Sequence, residues 1–138
     1  VMLALETAMR RSELLALKWE NIDLARQTAL LPDTKNGTAR RVPLSKNAVE
    51  LLWALPKSVS GVVFPVKFFT LDAAFKRALK KTGIADFHFH DLRHTAITAM
   101  AEKLPNLMEL SAVTGHKSLA MLKRYYHPDV EGLARKLG

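Results

Sequence analysis

Along most of the chain, apolar residues recur at helical spacing, and this pattern is interrupted once by a short stretch of strand-like runs. The spacing predicts helices over residues 2–9, 13–18, 46–55, 71–82, 90–104, 106–113, 118–126 and 129–137. Runs at 21–24, 28–31 and 40–44, with an Asn-Gly turn signal at 36–37, predict a small antiparallel sheet. The predicted fold class is therefore α+β, mostly α-helical with a small antiparallel β-sheet.

Residues that begin and end elements refine this prediction. Ser12 is expected to cap the helix that starts at residue 13, and Gly83 to end the helix over 71–82. Pro43 has no backbone donor, which places its strand at a sheet edge or its end. The short run at 61–65 is expected to be extended. We expect the large apolar side chains to lie in the core, including Trp19, Trp53, Met100, Met108 and Met121.

Composition limits the class of protein. A chain of 138 residues, 49% hydrophobic and 25% charged, has the size and balance of one soluble globular domain. No apolar run approaches the ~20 residues of a membrane helix, so no membrane partner is expected. The absence of cysteine excludes disulfides, zinc–thiolate sites and cysteine nucleophiles within this sequence, and it is compatible with a cytoplasmic location.

The charge is unevenly distributed. Lys and Arg number 21 against 13 Asp and Glu, a net charge of +8. Residues 1–40 hold six basic and five acidic side chains (+1), whereas residues 41–138 hold fifteen and eight (+7). A basic domain of this kind either has a solvated basic surface or binds a polyanion, most commonly nucleic acid.

A histidine-rich segment, FHFHDLRHT at residues 87–95, first suggests a metal site. A His-x-His-x-Asp-His metal motif would need Asp and His where Leu92 and Arg93 stand, and a guanidinium is unfavourable beside a metal ion. His90 and Arg93 are instead spaced to share one helix face. Such a pair is either an ordinary surface pair or part of a site for an oxyanion such as phosphate.

Four further residues are candidates for a site that binds an oxyanion and acts on it. They are Arg10 between two helical runs, Lys35 on a turn, His116 after Gly115, and Tyr125 after a short helix. With these residues in this order, the chain resembles the C-terminal catalytic domain of tyrosine recombinases, also called phage-type integrases. The resemblance covers residues 3–126 and is carried by the motifs AMRRSELLALKW (8–19), TKNG (34–37), HDLRHT (90–95), TGHKS (114–118) and RYYH (124–127).

Two features depart from the family pattern. Ala8 stands where the family usually has glycine before the first arginine pair, a small change. The family also carries an N-terminal core-binding DNA domain, which the sequence lacks. We therefore expect residues 1–138 to form a single catalytic domain that is N-terminally truncated.

The resemblance implies that the chain cleaves and rejoins DNA in site-specific recombination or integration, without a metal or other cofactor. It implies six catalytic residues: Arg10, Lys35, His90, Arg93, His116 and Tyr125. The arginines would bind the phosphate oxygens, and the histidines would donate hydrogen bonds or transfer protons. The lysine would protonate the departing 5′-oxygen, and the tyrosine would attack phosphorus to form a 3′-phosphotyrosyl bond.

Tyr125 is preferred to its neighbour Tyr126 because it fits the family's Arg-Tyr-x-His context. Adjacent helical side chains point about 100° apart, so both cannot face one phosphate. Tyr126 is then a packing or DNA-proximal aromatic residue. His88 and His94 are expected to support the site or cap a helix. Glu13 is expected to support helix packing or to orient a neighbour by hydrogen bonding.

The partners implied are double-stranded DNA, further copies of the chain in a homo-tetramer, with residues 128–138 as candidate connectors, and accessory DNA-bending proteins. The candidate DNA contacts are Arg40, Arg41, Lys76, Arg77, Lys80, Lys81, Lys117 and Ser118. Lys117 and Ser118 are expected to open a helix, a natural phosphate-binding position.

Three alternatives to a recombinase stay open at this point. The first is a non-catalytic DNA-binding remnant of the same fold, and the second is a metal-dependent nuclease or hydrolase built on the histidine-rich segment. The third is a type IB topoisomerase with similar chemistry. Strand cleavage, chelator sensitivity and relaxation without recombination distinguish them.

Overall fold

The structure, a computed structural model, describes residues 1–32 and 39–138. Within these ranges the elements are α1 (Met2–Thr7), α2 (Arg11–Ala16), β1 (Ile22–Asp23), β2 (Thr28–Leu31), β3 (Arg40–Pro43), α3 (Lys46–Trp53), α4 (Phe68–Thr82), α5 (Phe89–Lys103), α6 (Leu107–Thr114) and α7 (Val130–Leu137). Three 3₁₀ turns complete them, at Trp19–Asn21, Leu119–Met121 and Lys123–Tyr125. The α+β prediction, mostly helical with a small antiparallel sheet, is confirmed.

The sheet has the order β1-β2-β3, and both pairs are antiparallel. Ala29 pairs with Val42, and both are fully buried, so the inward face of the sheet is apolar. β2 has the predicted bounds, and Pro43 ends the edge strand β3 as predicted. The predicted turn at residues 34–37, with Lys35, lies outside the described residues. The extended prediction at 61–65 is confirmed by the isolated bridge between Lys18 and Val62.

The junction between α1 and α2 differs from the prediction. Ala8 adopts a left-handed conformation (φ 56°) and ends α1, so the helix stops before residue 9. α2 then begins at Arg11, and Ser12 does not cap it. The carboxylate of Glu13 instead accepts a hydrogen bond from the backbone N–H of Arg10 at 2.8 Å, satisfying one of the unpaired donors at the helix start.

The helix predicted over residues 118–126 is wrong. The segment forms two short 3₁₀ turns, with bonds such as Leu122 N to Leu119 O (3.0 Å) and Tyr125 N to Leu122 O (3.0 Å). These i to i+3 bonds wind the chain more tightly than an α-helix. Leu122 is fully buried and anchors the segment. Elsewhere, α4 begins earlier than predicted and ends at the left-handed Gly83 (φ 74°), as expected.

Two apolar clusters form the interior, and α5 contributes to both. Its Phe89 and Leu92 join the cluster around the sheet, α1 and α3, whereas Ala96 and Ile97 join a second cluster with Leu110, Leu122 and Ala101. Because α5 belongs to both clusters, it fixes their positions relative to each other. No helix in the described part of the chain is long and apolar enough to cross a bilayer.

Some predicted core residues are exposed. Trp53, the last residue of α3, is 78% exposed because the apolar face of that helix is carried by Ala48 and Leu52. Met108 and Met121 are also mostly exposed, so these three core predictions are wrong. Trp19 and Met100 pack against the two clusters as predicted.

Candidate active site

A cavity of about 280 Å³ opens where α2, α5, the end of α6 and the 3₁₀ turns meet. It is lined by Arg10, His90, Arg93, His94, Ile97, His116, Ala120, Met121 and Arg124. Four of the predicted catalytic residues, Arg10, His90, Arg93 and His116, are thus brought together from three separate parts of the sequence. The cavity walls are strongly cationic and suit an anion.

Arg93 is the most rigidly held of these groups. Its side chain is buried, and its guanidinium donates to the carbonyl of Ala8 at 2.6 Å and to that of Thr114 at 2.7 Å. Both carbonyls lie at the C-terminal ends of helices, where partial negative charge favours a cation. Burial and the charge of Arg10 lower the pKa of Arg93 to about 10, so it is a cation at neutral pH. Arg93 also lines the cavity, where its guanidinium can donate hydrogen bonds to an anion.

Arg10 is positioned by a buried carboxylate. Glu13 accepts from the Arg10 backbone and lies 3.5 Å from Arg10 Nη1, while the guanidinium of Arg40 pairs with it from the other side. Burial favours the neutral carboxyl, but the hydrogen bonds and charges of both arginines outweigh it and lower the pKa of Glu13. Glu13 therefore stays ionised, and the prediction that it orients a neighbour is confirmed.

Gly115 makes room for this ion pair. It ends α6 with φ 76°, and a Cβ at this position would stand 2.9 Å from the guanidinium of Arg40. Two features therefore require glycine at this position: the left-handed backbone and the close approach of the Arg40 side chain. The next residue is His116, so the same turn places the His116 side chain in the wall of the cavity.

Two of the three histidines that line the cavity, His116 and His90, are kept neutral. His116 Nδ1 lies 2.7 Å from the hydroxyl of the buried Thr114, and burial together with the charges of nearby arginines lowers its pKa to about 4. Burial, followed by the charges of His94 and Arg93, also lowers the pKa of His90. A neutral imidazole has one N–H donor and one acceptor nitrogen, and is ready for hydrogen bonding or proton transfer.

The two adjacent tyrosines have different environments. The hydroxyl of Tyr125 lies 2.7 Å from Nδ1 of His94 and 2.9 Å from Nη2 of Arg124, beside the cavity. The hydroxyl of Tyr126 donates instead to the carbonyl of Leu104, its ring packs against the second apolar cluster, and burial raises its pKa. Only Tyr125, of the pair, has a hydroxyl among side chains of the site.

The sequence predicted only a supporting or capping role for His94 and assigned Arg124 no role in the site. The N-cap of α5 is His88, and both His94 and Arg124 line the cavity. The signal was available, because His94 follows His90 by four residues on one helix face. Arg124 precedes Tyr125 directly, but its inward direction depends on the 3₁₀ turn, which the periodicity did not predict.

The histidine-rich segment does not gather a ligand set. Among residues 1–32 and 39–138, no three His, Asp or Glu side chains cluster as metal ligands. His90 and His94 face the cavity together with Arg93, and their rings meet edge to face at 5.0 Å.

The candidate DNA contacts occupy varied positions. Those on α4 and β3 are exposed: Arg41, Lys76, Arg77, Lys80 and Lys81. Lys76 also pairs with Asp72 at 3.0 Å. Arg40 is only 10% exposed and belongs to the Glu13 pair. Lys117 and Ser118 are exposed, but they precede a 3₁₀ turn rather than the predicted α-helix, so no helix start of that kind lies there.

Comparison with known proteins identifies the family. Residues 1–131 match the Phage integrase family. A shufflon-specific DNA recombinase of Escherichia coli is 48% identical over 136 residues, which are 98% of this chain and 35% of that protein. Tyrosine recombinase XerA of Saccharolobus solfataricus is 33% identical over 129 residues, 92% of this chain and 44% of that protein. The chain thus spans less than half the length of these relatives.

Solved structures show the same fold. The Tn1549 transposon integrase in complex with a circular intermediate DNA superposes with a TM-score of 0.79 at 19% identity, covering 99% of this chain and 57% of that one. The catalytic domain of bacteriophage HP1 integrase gives a TM-score of 0.70 at 25% identity, covering 90% and 70%. Fold, motifs and family match agree: the chain belongs to the phage integrase family of tyrosine recombinases.

Proposed function

We propose that this chain is the catalytic domain of a site-specific DNA recombinase that cleaves and rejoins DNA through a 3′-phosphotyrosyl bond at Tyr125. The observation that carries the proposal is the meeting of Arg10, Arg93, His90 and His116 in one cavity. The Tyr125 hydroxyl lies beside this cavity. The net charge of +8 and the relatives named DNA recombinases support DNA as the substrate.

The arginines are proposed to bind the scissile phosphate. Arg93 is fixed by two backbone carbonyls and Arg10 by Glu13, so both present donors whose positions are set before DNA binds. Charge-assisted hydrogen bonds to the non-bridging oxygens strengthen as negative charge develops in the transition state. Because the donors are already in place, little reorganisation is needed at the moment of reaction.

The chemistry is a pair of reversible displacements. The Tyr125 hydroxyl gives its proton to a base at the site, and its oxygen attacks phosphorus. The bond from phosphorus to the 5′-oxygen breaks, and that oxygen takes a proton from Lys35. The phosphotyrosyl bond keeps the energy of a phosphodiester, so a 5′-hydroxyl of another strand attacks it and restores Tyr125. His90 and His116 donate hydrogen bonds to the phosphate during both steps, and the scheme uses no metal or other cofactor.

DNA contacts outside the cavity are assigned to exposed basic and polar residues, and Arg40 is assigned to positioning instead. The guanidinium of Arg40 is largely buried and pairs with the carboxylate of Glu13, which in turn contacts Arg10. The proposed DNA contacts are Arg41, Lys76, Arg77, Lys80, Lys81, Lys117 and Ser118. In this proposal residues 1–138 are one catalytic domain of a longer recombinase with a core-binding domain, acting in the cytoplasm as a tetramer on DNA, with accessory bending proteins where the site needs them.

The test is formation of a covalent protein–DNA adduct that resists SDS. A pool of duplexes nicked close to the cleavage positions releases a short strand after cleavage and traps the intermediate. A chelator is present throughout. Tyr125→Phe removes the proposed nucleophile, and Tyr126→Phe is the matched control because it removes one hydroxyl at the adjacent position.

We expect an adduct from the wild type and from Tyr126→Phe, and none from Tyr125→Phe. An adduct from Tyr125→Phe would assign the nucleophile to another residue. DNA binding without any adduct from the wild type would favour the non-catalytic DNA-binding alternative, and loss of the adduct with the chelator would favour a metal enzyme.

A further inference from the structure

Three polar atoms form a closed triangle at the edge of the cavity. His94 Nδ1, Tyr125 Oη and Arg124 Nη2 are separated by 2.7 Å (His94–Tyr125), 2.7 Å (His94–Arg124) and 2.9 Å (Arg124–Tyr125). The proposed nucleophile therefore touches one imidazole and one guanidinium. None of the roles assigned so far uses His94 or Arg124.

The triangle determines which nitrogen of His94 carries hydrogen. A guanidinium N–H is a donor and never an acceptor, so Nδ1 must present its lone pair to Arg124. A proton on Nδ1 would face the N–H of Arg124 and break this contact. Nδ1 therefore carries no hydrogen, and its single lone pair is shared between the N–H of Arg124 and the hydroxyl of Tyr125, each 2.7 Å away.

We propose that His94 is the general base that takes the hydroxyl proton of Tyr125, with Arg124 positioning both groups. This rests on the proposed function of Tyr125 as nucleophile. The O–H bond of Tyr125 breaks, an N–H bond forms at Nδ1 of His94, and the electron pair that stays on the phenolate oxygen forms the new bond to phosphorus. Arg124 keeps its hydrogen bond to the phenolate and releases Nδ1. In the reverse step the same proton returns to Tyr125.

Charges around His94 determine when this transfer is favourable. Neutral His90 contacts its ring, whereas the guanidinium of Arg124 contacts its Nδ1. Arg10 and Arg93 line the same cavity. These three arginine cations oppose a further positive charge in the empty cavity. A bound phosphate brings compensating negative charge, so we expect the proton transfer only after DNA occupies the site.

The test measures single-turnover adduct formation with His94→Asn. Asn places an oxygen near the position of Nδ1 and accepts hydrogen bonds, but it cannot take up the proton. His88→Asn, on the exposed first residue before α5, is the matched control. Each variant is assayed on two nicked duplexes, with oxygen or with sulfur as the 5′-bridging atom. A sulfur leaving group needs no proton, so it compensates for a lost acid and not for a lost base.

We expect His94→Asn to slow adduct formation about 100-fold near neutral pH on both duplexes, and His88→Asn to leave the rate unchanged. The loss should shrink as the pH is raised, because hydroxide then removes the tyrosine proton. Added imidazole should partly restore His94→Ala, a second variant whose folding is checked by thermal melting.

Three results would overturn the proposal: a His94→Asn rate within about twofold of wild type, recovery on the sulfur duplex, or an equal loss at every pH. Recovery by sulfur would assign His94 to the leaving group, and a pH-independent loss would make it structural. Absence of any adduct from the wild type would instead reject the recombinase function itself, so the two failures are distinguishable.

Discussion

The arginine side of the cavity is largely buried and tied to backbone groups. The tyrosine side is half-buried, and its hydroxyl is held by two side chains. Arg93 donates to carbonyls at two helix ends, and Arg10 is bound to the buried Glu13. Tyr125 lies on a three-residue 3₁₀ turn, and its partner Arg124 is exposed. The two arginines are therefore held by buried groups, whereas the attacking hydroxyl is held by the side chains of His94 and Arg124 on and beside a short 3₁₀ segment that Leu122 anchors.

This difference separates stability from activity. Changes on the arginine side should lower the free energy of unfolding and abolish adduct formation together, because the same hydrogen bonds serve both. Changes on the tyrosine side should reduce adduct formation while leaving the fold intact. A nucleophile that joins and leaves DNA in each reaction cycle benefits from such a separation, since the side chains of Tyr125 and Arg124 can move without breaking the hydrogen bonds that hold Arg93.

Arg93→Met should have the largest effect on stability. The substitution leaves the carbonyls of Ala8 and Thr114 without their charged donor inside the protein. We expect the free energy of unfolding to fall by about 4 kcal/mol, measured by urea denaturation, with no detectable adduct. Arg124→Met is the matched variant from the exposed side and should unfold like the wild type. Equal losses of stability in both variants would contradict the comparison.

Glu13→Gln should be the next most damaging change. It removes a buried carboxylate and leaves the guanidinium of Arg40, only 10% exposed, without its counter-charge. We expect a loss of about 3 kcal/mol in the free energy of unfolding and reduced adduct formation through misplacement of Arg10. Asp72→Asn, in the solvent-accessible pairs with Arg11 and Lys76, should change stability less than Glu13→Gln, because Asp72 is 29% exposed and Glu13 only 3%. An unchanged unfolding midpoint in Glu13→Gln would show that the buried pair does not hold this side together.

Gly115→Ala tests the close approach to Arg40. Its Cβ would meet the guanidinium at 2.9 Å in a left-handed backbone, so we expect about 2 kcal/mol of destabilisation. Gly83→Ala has the same backbone conformation, but no described atom lies within 4 Å of its Cβ, so about 1 kcal/mol is expected. Thermal melting of the two variants compares them directly. Equal melting temperatures would mean that the Arg40 side chain moves aside at no cost in stability.

The effect that is smallest at neutral pH is the titration of His116. The pKa of His116 is about 4 in the folded chain, below the value of about 6.5 for an unperturbed histidine. Between these values the unfolded chain takes up a proton that the folded chain does not. The free energy of unfolding should therefore fall as the pH is lowered from about 6.5 to about 4. His116→Gln should remove this part of the pH dependence in urea titrations, and identical slopes for the variant and the wild type would contradict it.

The sequence predicted those features that depend on local signals. The period of α5, the glycine at the end of α4 and the bounds of β2 follow from residue pattern and backbone preference, and the structure confirms them. Residue chemistry and order also singled out the four predicted side chains that line the cavity. Arginine, histidine and glycine at fixed offsets carry this information before any tertiary contact is known.

Features that depend on distant contacts were not predictable. Arg40 was interpreted as a DNA contact because nothing local shows that Glu13, 27 residues away, holds it in a buried pair. Residues 118–126 have a helical apolar pattern, yet packing of Leu122 against the second cluster and 3₁₀ hydrogen bonds determine their path. The role proposed for His94 required the direction of Tyr125, which that path determines.

The most direct test of the central claim is to identify which tyrosine carries DNA after cleavage. Trypsin releases residues 125–135 (YYHPDVEGLAR) from a trapped adduct trimmed by nuclease, and fragmentation in the mass spectrometer distinguishes the two adjacent tyrosines. The account predicts a nucleotide on Tyr125, whose hydroxyl meets His94 and Arg124. A nucleotide on Tyr126, whose hydroxyl is bound to the carbonyl of Leu104, would contradict it.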